Sequence, residues 1–227
     1  MVSYLPVPLG RLHFRHDLRL LSSSSLILCT IGLLDTTQPH NDAPTSVLQS
    51  RLALNTATPT LIIHCRLSWS VLLLYGTIPD RFIPYLRGSE QPSHTDPALT
   101  TPAERLLARW FSCNDDNMRN QQLKIIPTVV DGPWIVQTVV GSTPALIGTK
   151  LPVRYHRSSS SSSFEVVLDI TETTAARSIL RVTRQCTTSL ALRLGFVLQD
   201  YDGTEECMLL AAGLHRVDPT QAPVFPG

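Results

Sequence analysis

From Leu123 onward the chain is written in short β-branched and aliphatic runs, cut apart by Gly, Pro, Asp and Ser and interrupted by one stretch of helical spacing. Few folds accommodate that pattern. Short apolar runs between turn residues read as strands joined by hairpin-type connections. Leu123-Lys-Ile-Ile-Pro-Thr-Val-Val130 runs into an Asp131-Gly132-Pro133 break, and Trp134-Ile-Val-Gln-Thr-Val-Val140 follows. The two runs are expected to form an antiparallel strand pair, with Trp134 packed in the sheet core. Phe164–Ile170, Leu190–Leu198 and Leu209–Val217 read as further strands. Between them, Thr171–Gln185 has helical spacing, with Thr173 or Thr174 as cap and Ala175, Ala176, Ile179, Leu180 and Val182 on the buried side. Strands interleaved with two or so helices predict an α+β fold with a mostly antiparallel sheet.

Upstream, Thr60–Tyr75 is β-branched and aromatic, with Ser68 at a natural break, and predicts one strand or two adjoining ones. Gly76–Thr101 holds four prolines and Gly88 and reads as a long loop. Thr101-Pro102-Ala103-Glu104 is a helix start. Thr101 caps, Pro102 needs no amide partner at the first helical position, and Glu104 closes a capping box. Leu106, Leu107, Trp110 and Phe111 then share one face, which places Trp110 in the core.

The first fifty residues are irregular, with one short strand or helix expected near Leu26–Leu34. The predicted organisation is a lead-in over 1–50, a domain over 51–218 and a tail over 219–227. A basic stretch from Arg11 to Arg19 ahead of Leu20-Leu21 loosely resembles a targeting segment, although Asp17 interrupts it and no small-residue cleavage site follows. Ser158–Ser163 is low-complexity and reads as an exposed loop.

Charge narrows the function classes. Only 16% of residues are charged and the formal net charge is +1, so long-range attraction to nucleic acid is weak and no nucleic-acid partner is expected. No apolar run reaches the ~20 residues that cross a bilayer as a helix. The five cysteines are odd in number, scattered and free of any C-x-x-C pair. Reduced thiols in a cytoplasmic setting follow, with neither a disulfide framework nor a zinc knuckle.

The catalytic motifs fail on spacing. Gly141 and Gly148-Thr-Lys150 stand too far apart for a phosphate loop, with Pro144 between them. Gly-x-Ser-x-Gly is absent, the histidines show no metal-binding spacing, and Cys113 and Cys186 have no evident base. Asp115 and Asp116 are expected to pair with Arg119 or cap a turn. No catalytic residue, metal ligand or cofactor is predicted. What remains is a small basic set, Arg119, Lys124, Lys150, Arg154 and Arg157, in which Lys150 and Arg154 would share one face of a strand. This is the candidate anion or lipid-headgroup patch.

Three stretches carry a family resemblance. Phe111-Ser-Cys-Asn-Asp-Asp-Asn-Met-Arg-Asn-Gln-Gln-Leu-Lys-Ile-Ile-Pro127 holds an acidic pair, Arg-Asn, and a Lys-bearing strand ending in Ile-Pro. Val130-Asp-Gly-Pro-Trp-Ile-Val136 runs on through Val140-Gly-Ser-Thr-Pro-Ala-Leu-Ile-Gly-Thr-Lys-Leu151. Tyr155-His-Arg157 precedes Phe164-Glu-Val-Val-Leu-Asp-Ile170 and an alanine-containing helix. In order and spacing these stretches, spanning about residues 104–217, resemble the C-terminal domain family of the plant Enhanced Disease Resistance 2 protein. The serine run after Arg157 and Thr204-Glu-Glu-Cys-Met-Leu-Leu210 depart from the family pattern.

The resemblance implies a plant or protist protein and a non-enzymatic regulatory role. It also implies a link to lipid binding, which in relatives accompanies pleckstrin homology and START domains that are not recognisable in these residues. Two functions are therefore expected. One is a module peripheral to membranes that meets anionic lipid headgroups. The other is a protein-interaction module with an exposed apolar patch near Ile78–Leu86.

Overall fold

The computed structural model describes residues 27–35, 59–88, 91–93, 95–140, 145–158 and 163–221. The strands are β1 (Ile27–Asp35), β2 (Thr60–Arg66), β3 (Ser70–Thr77), β4 (Leu123–Asp131), β5 (Ala145–Leu146), β6 (Val153–Ser158), β7 (Ser163–Asp169), β8 (Ala191–Gln199) and β9 (Glu206–His215). The helices are α1 (Ile83–Leu86), α2 (Pro102–Ser112), α3 (Asp116–Asn120), α4 (Trp134–Val140), α5 (Ile147–Lys150) and α6 (Thr174–Arg184).

One sheet runs β1-β3-β2-β7-β6 and the other β5-β4-β8-β9. Every neighbouring pair is antiparallel except β2 and β7. This is the α+β fold with mostly antiparallel strands that the sequence predicts. Period-2 alternation turns Leu61, Ile63, Cys65, Phe164, Val166 and Leu168 of the first sheet and Leu194, Phe196 and Leu198 of the second into one shared core.

Helix α2 supplies the rest of that core. Thr101 Oγ1 accepts from the Glu104 amide at 3.2 Å, and Glu104 Oε2 accepts from the Thr101 amide at 3.0 Å, completing the expected capping box. Leu106, Leu107, Trp110 and Phe111 are fully buried. Trp110 and Phe111 close on Phe164 with ring centroids 5.1 and 5.3 Å apart, an aromatic cluster that fills one end of the intersheet space.

Four local expectations need correction. Trp134–Val140 is a helix, not a strand. On one side β4 pairs only at Lys124 and Ile125, with the two-residue β5, and on the other side with β8. Pro133 opens the helix instead, its carbonyl accepting from the Val136 amide at 2.9 Å. The second correction follows from this one: Trp134 is 74% exposed rather than in the core.

The third concerns Gly76–Thr101, which is not a bare loop. It carries a short 3-10 turn and α1, and Ile78, Phe82, Tyr85 and Leu86 are buried, so the apolar patch expected there is not exposed. Arg81 pairs with Glu104 at 2.9 Å, which clamps the segment against α2, and the Tyr85 hydroxyl donates to Asp96 within the segment itself. The fourth is that Lys150 ends helix α5, so it does not share a strand face with Arg154.

Helix α6 forms where expected and is capped by Thr173, but among its residues only Leu180 is buried and Ala175 is exposed. The strand-or-helix expected near Leu26–Leu34 is strand β1, paired with β3. The targeting stretch Arg11–Arg19 and the middle of the polyserine tract lie outside the described residues.

Candidate functional site

At the end of the sheets opposite the aromatic cluster, the intersheet space is not filled. A cavity of about 220 Å³ opens there. Cys65, Leu67, Trp69, Leu72 and Ile170 line it from the first sheet and its connections. Ile125, Pro127, Leu192, Leu194 and Leu214 line it from the second. Helices α4 and α6 lie across it through Val140, Ile179, Leu180 and Thr183.

Why these residues leave a void follows from the local sequence. The Asp131-Gly132-Pro133 turn at the end of β4 starts α4, and Thr187–Ser189 at the end of α6 starts β8. The two connections touch: Gly132 has φ +146°, and a side chain there would meet Leu190 Cδ1 at 2.9 Å. The helices are thereby placed side by side over the sheet ends. Their inward faces are aliphatic and short, with Val136 and Val140 on one and Ile179, Leu180 and Thr183 on the other, whereas α2 brings a Trp and a Phe.

Polar groups in the wall are few and mostly satisfied. Thr183 Oγ1 donates back into its own helix, toward the Ile179 and Leu180 carbonyls at 3.0 and 3.1 Å. The Trp69 indole N–H is different: it is buried with no acceptor among the described residues. Burial pushes the Cys65 thiol up to about 12, so it stays protonated and unreactive. The chamber is an apolar space, and one of its lining residues, Trp69, carries a buried donor without an acceptor among the described residues. It is suited to holding an aliphatic group and has no general base.

The five basic residues predicted from sequence do not form one patch. Arg119 is buried and closes the C-terminus of α2. It donates from Nε to the Trp110 carbonyl at 3.1 Å, from its terminal nitrogens to the carbonyls of Phe111 and Cys113, and to Asp116 at 2.7 Å. Arg157 joins it there, on the Phe111 and Cys113 carbonyls and on Asn114 Oδ1 at 2.9 Å. Burial, and then the nearby Arg119 charge, lower the Arg157 pKa. Asp115 caps α3 and Asp116 pairs with Arg119, as expected of that acidic pair. Lys124 reaches Glu206 at 3.3 Å within the second sheet, Arg154 lies 4.0 Å from Glu172, and Lys150 is exposed.

The chain matches the family described as Protein ENHANCED DISEASE RESISTANCE 2, C-terminal, over residues 30–218. It belongs to that family. A relative from Arabidopsis thaliana, named Protein ENHANCED DISEASE RESISTANCE 2-like, is 38% identical over 93 residues, which are 41% of this chain and 13% of the relative. The chain therefore corresponds to only a small part of that protein's length. No solved structure matches the chain.

In this member of the Enhanced Disease Resistance 2 C-terminal family, sequence reasoning paired Arg119 with its acidic turn but also put it, with Arg157, in a candidate anion patch, without their shared carbonyl partners. It missed the cavity altogether. The signal that was present is the run of small aliphatic side chains on α6 and on the stretch after Trp134, whose own ring points outward and leaves the space beneath unfilled. Among the described residues no group of three or more His, Cys, Asp or Glu side chains converges as a metal site would, and no helix is long and apolar enough to cross a membrane. A second recess of about 180 Å³, lined by Pro92, Ser93, Pro102, Arg105, Arg109 and Glu205, is more polar.

Proposed function

We propose that this domain is a non-enzymatic regulatory module that associates with lipid by taking an acyl chain into the cavity between its sheets. The observation that carries this reading is the cavity wall, which is aliphatic except for threonine hydroxyls bonded within their own segment and one unpartnered indole N–H. An enclosed void of about 150 Å³ with an apolar lining takes up small apolar molecules, and this cavity, which has an open mouth, is larger. Water gains nothing there, while an aliphatic chain regains the dispersion contacts the wall lacks. A carbonyl or carboxyl oxygen at the end of that chain would also satisfy Trp69 Nε1–H.

The test is a titration of the purified chain with cis-parinaric acid, a fatty acid whose fluorescence rises in an apolar site. Saturable enhancement, displaced by unlabelled fatty acid and lost in Leu194→Phe or Leu192→Phe, supports the reading. Enhancement that survives both cavity-filling changes places the probe elsewhere and sinks it. The second reading, a protein-interaction module without lipid, draws on the exposed Trp134 and predicts no enhancement at all.

A further inference from the structure

Both helices over the cavity present outward faces that no described element covers. On α4 and the strand end before it, Val130 is 52% exposed, Trp134 74%, Ile135 43% and Val139 37%. These large apolar side chains fall within one short stretch of chain, whereas the inward Val136 of the same helix is fully buried. A single exposed leucine calls for no explanation, but a clustered tryptophan and three aliphatics do.

Helix α6, packed beside α4, adds charge. Arg177, Arg181 and Arg184 recur at helical spacing on one exposed stripe, and the helix holds no acidic residue. Arg177 donates to Thr174 Oγ1 at 3.3 Å, and none of the three pairs with a carboxylate among the described residues. The neighbouring acids are already engaged: Glu172 lies by Arg154, and Asp131 by Arg216 at 3.6 Å. The basic end of α6 leads through Thr187–Ser189 to Leu190, which abuts Gly132 just before Trp134, so the stripe and the apolar cluster adjoin.

We propose that α4 and α6 form a docking face for an anionic bilayer, with Trp134, Ile135 and Val139 entering the interface and Arg177, Arg181 and Arg184 meeting the headgroups. An indole seats at the boundary between headgroup and acyl chain, and unpaired arginines draw such a face to negative lipid. A protein partner would equally cover the apolar side chains. The bilayer is favoured by the unpaired arginine stripe and by position, because the helices that would touch the membrane are the ones that roof the aliphatic cavity. The proposal rests on the acyl-chain reading only for what the docking delivers; the docking itself is separately measurable.

The experiment uses the full chain with vesicles of phosphatidylcholine alone and of phosphatidylcholine with phosphatidylserine, read by co-sedimentation and by tryptophan emission. Pelleting with the anionic vesicles only, weakened by salt and accompanied by a blue shift, is expected. Trp134→Ser should abolish the blue shift, and Arg181→Gln with Arg184→Gln should lower partitioning on the order of tenfold or more. These positions are exposed, so the variants should keep the parent melting temperature and still bind cis-parinaric acid in solution. Failure of the parent chain to pellet, or undiminished pelleting of both variants, overturns the docking face. The first of these outcomes gives the face to a protein partner. Leu194→Phe separates the readings: a chain that pellets but takes up no fatty acid keeps both, and one that pellets and still takes it up retains the docking face and loses the cavity.

Discussion

Arg119 and Arg157 donate to the same two backbone oxygens, the carbonyls of Phe111 and Cys113 at the end of α2. The last carbonyls of a helix have no partner within it and carry partial negative charge, so a guanidinium there answers both needs. Arg119 also lies over the rings of Tyr155 and Phe164, at 5.2 Å from each centroid, which ties the corner to the aromatic cluster. Replacing Arg119 by Met leaves the Trp110 carbonyl and Asp116 without their guanidinium partner, since Arg157 reaches only the Phe111 and Cys113 carbonyls, and should destabilise the fold by about 2–4 kcal/mol. Arg157→Met should cost about half as much, because Arg119 remains. The double change should be non-additive in urea unfolding, and independent contributions would show that the carbonyls are not shared in solution.

Glu104 gives the fold an acid-sensitive clamp. Burial raises its pKa, but hydrogen bonds from Thr100 and Thr101 and the Arg81 guanidinium outweigh that and hold it below the usual range. A depressed folded-state pKa means that the ionised carboxylate stabilises the fold above its unfolded pKa, near 4.5. The contribution fades as pH falls through the folded value. Glu104→Gln should remove about 1 kcal/mol at neutral pH and flatten the acid limb of the stability profile. An unchanged acid limb in the variant would assign the pH dependence to other groups.

Gly148 has no room for a methyl group, since a Cβ would sit 2.2 Å from Asn120 Cβ. Asn120 in turn accepts from the Tyr155 hydroxyl at 2.9 Å. Gly148→Ala should therefore lower stability by about 1–3 kcal/mol, with part of the loss appearing as a shift in tyrosine absorbance as the Tyr155 bond breaks. The residue that looked like half of a phosphate loop is required here by close approach of two chain segments.

Filling the cavity should have opposite effects on stability and on uptake. Leu194→Phe adds apolar contacts in a void, so without ligand its melting temperature is expected to rise by about 2–5 °C. The rise that fatty acid produces in the parent chain should disappear. A fall in melting temperature would mean the space is narrower than the structure has it.

The thiols should divide by burial. Cys65 and Cys207, pushed up to about 12 and about 11 by desolvation, are expected to resist a disulfide reagent at mildly alkaline pH until the chain unfolds. Prompt modification of Cys65 in the native protein would indicate that the cavity opens readily.

Much of this molecule follows from local residue order. The capping box at Thr101, the β2–β3 hairpin broken at Ser68, the α6 cap at Thr173 and the α+β class are short-range consequences of turn chemistry and hydrophobic period. The family was legible too, because the Arg-Asn corner and the Gly-Pro-Trp stretch keep their order. Trp134–Val140 forms a helix although its β-branched residues favour a strand: Pro133 opens it, its carbonyl accepting from the Val136 and Gln137 amides, and Val136 is buried by packing that the residue order does not show. Arg119 and Arg157 were misplaced because an arginine's partners here are backbone carbonyls, which the identity of the neighbouring residues does not reveal. The cavity and the face above it depend on how two distant helices lie across two sheet ends. Periodicity told which side of α6 is apolar, and tertiary packing alone decided that Trp134–Val140 would be a helix, with one side over an unfilled space and the other facing outward.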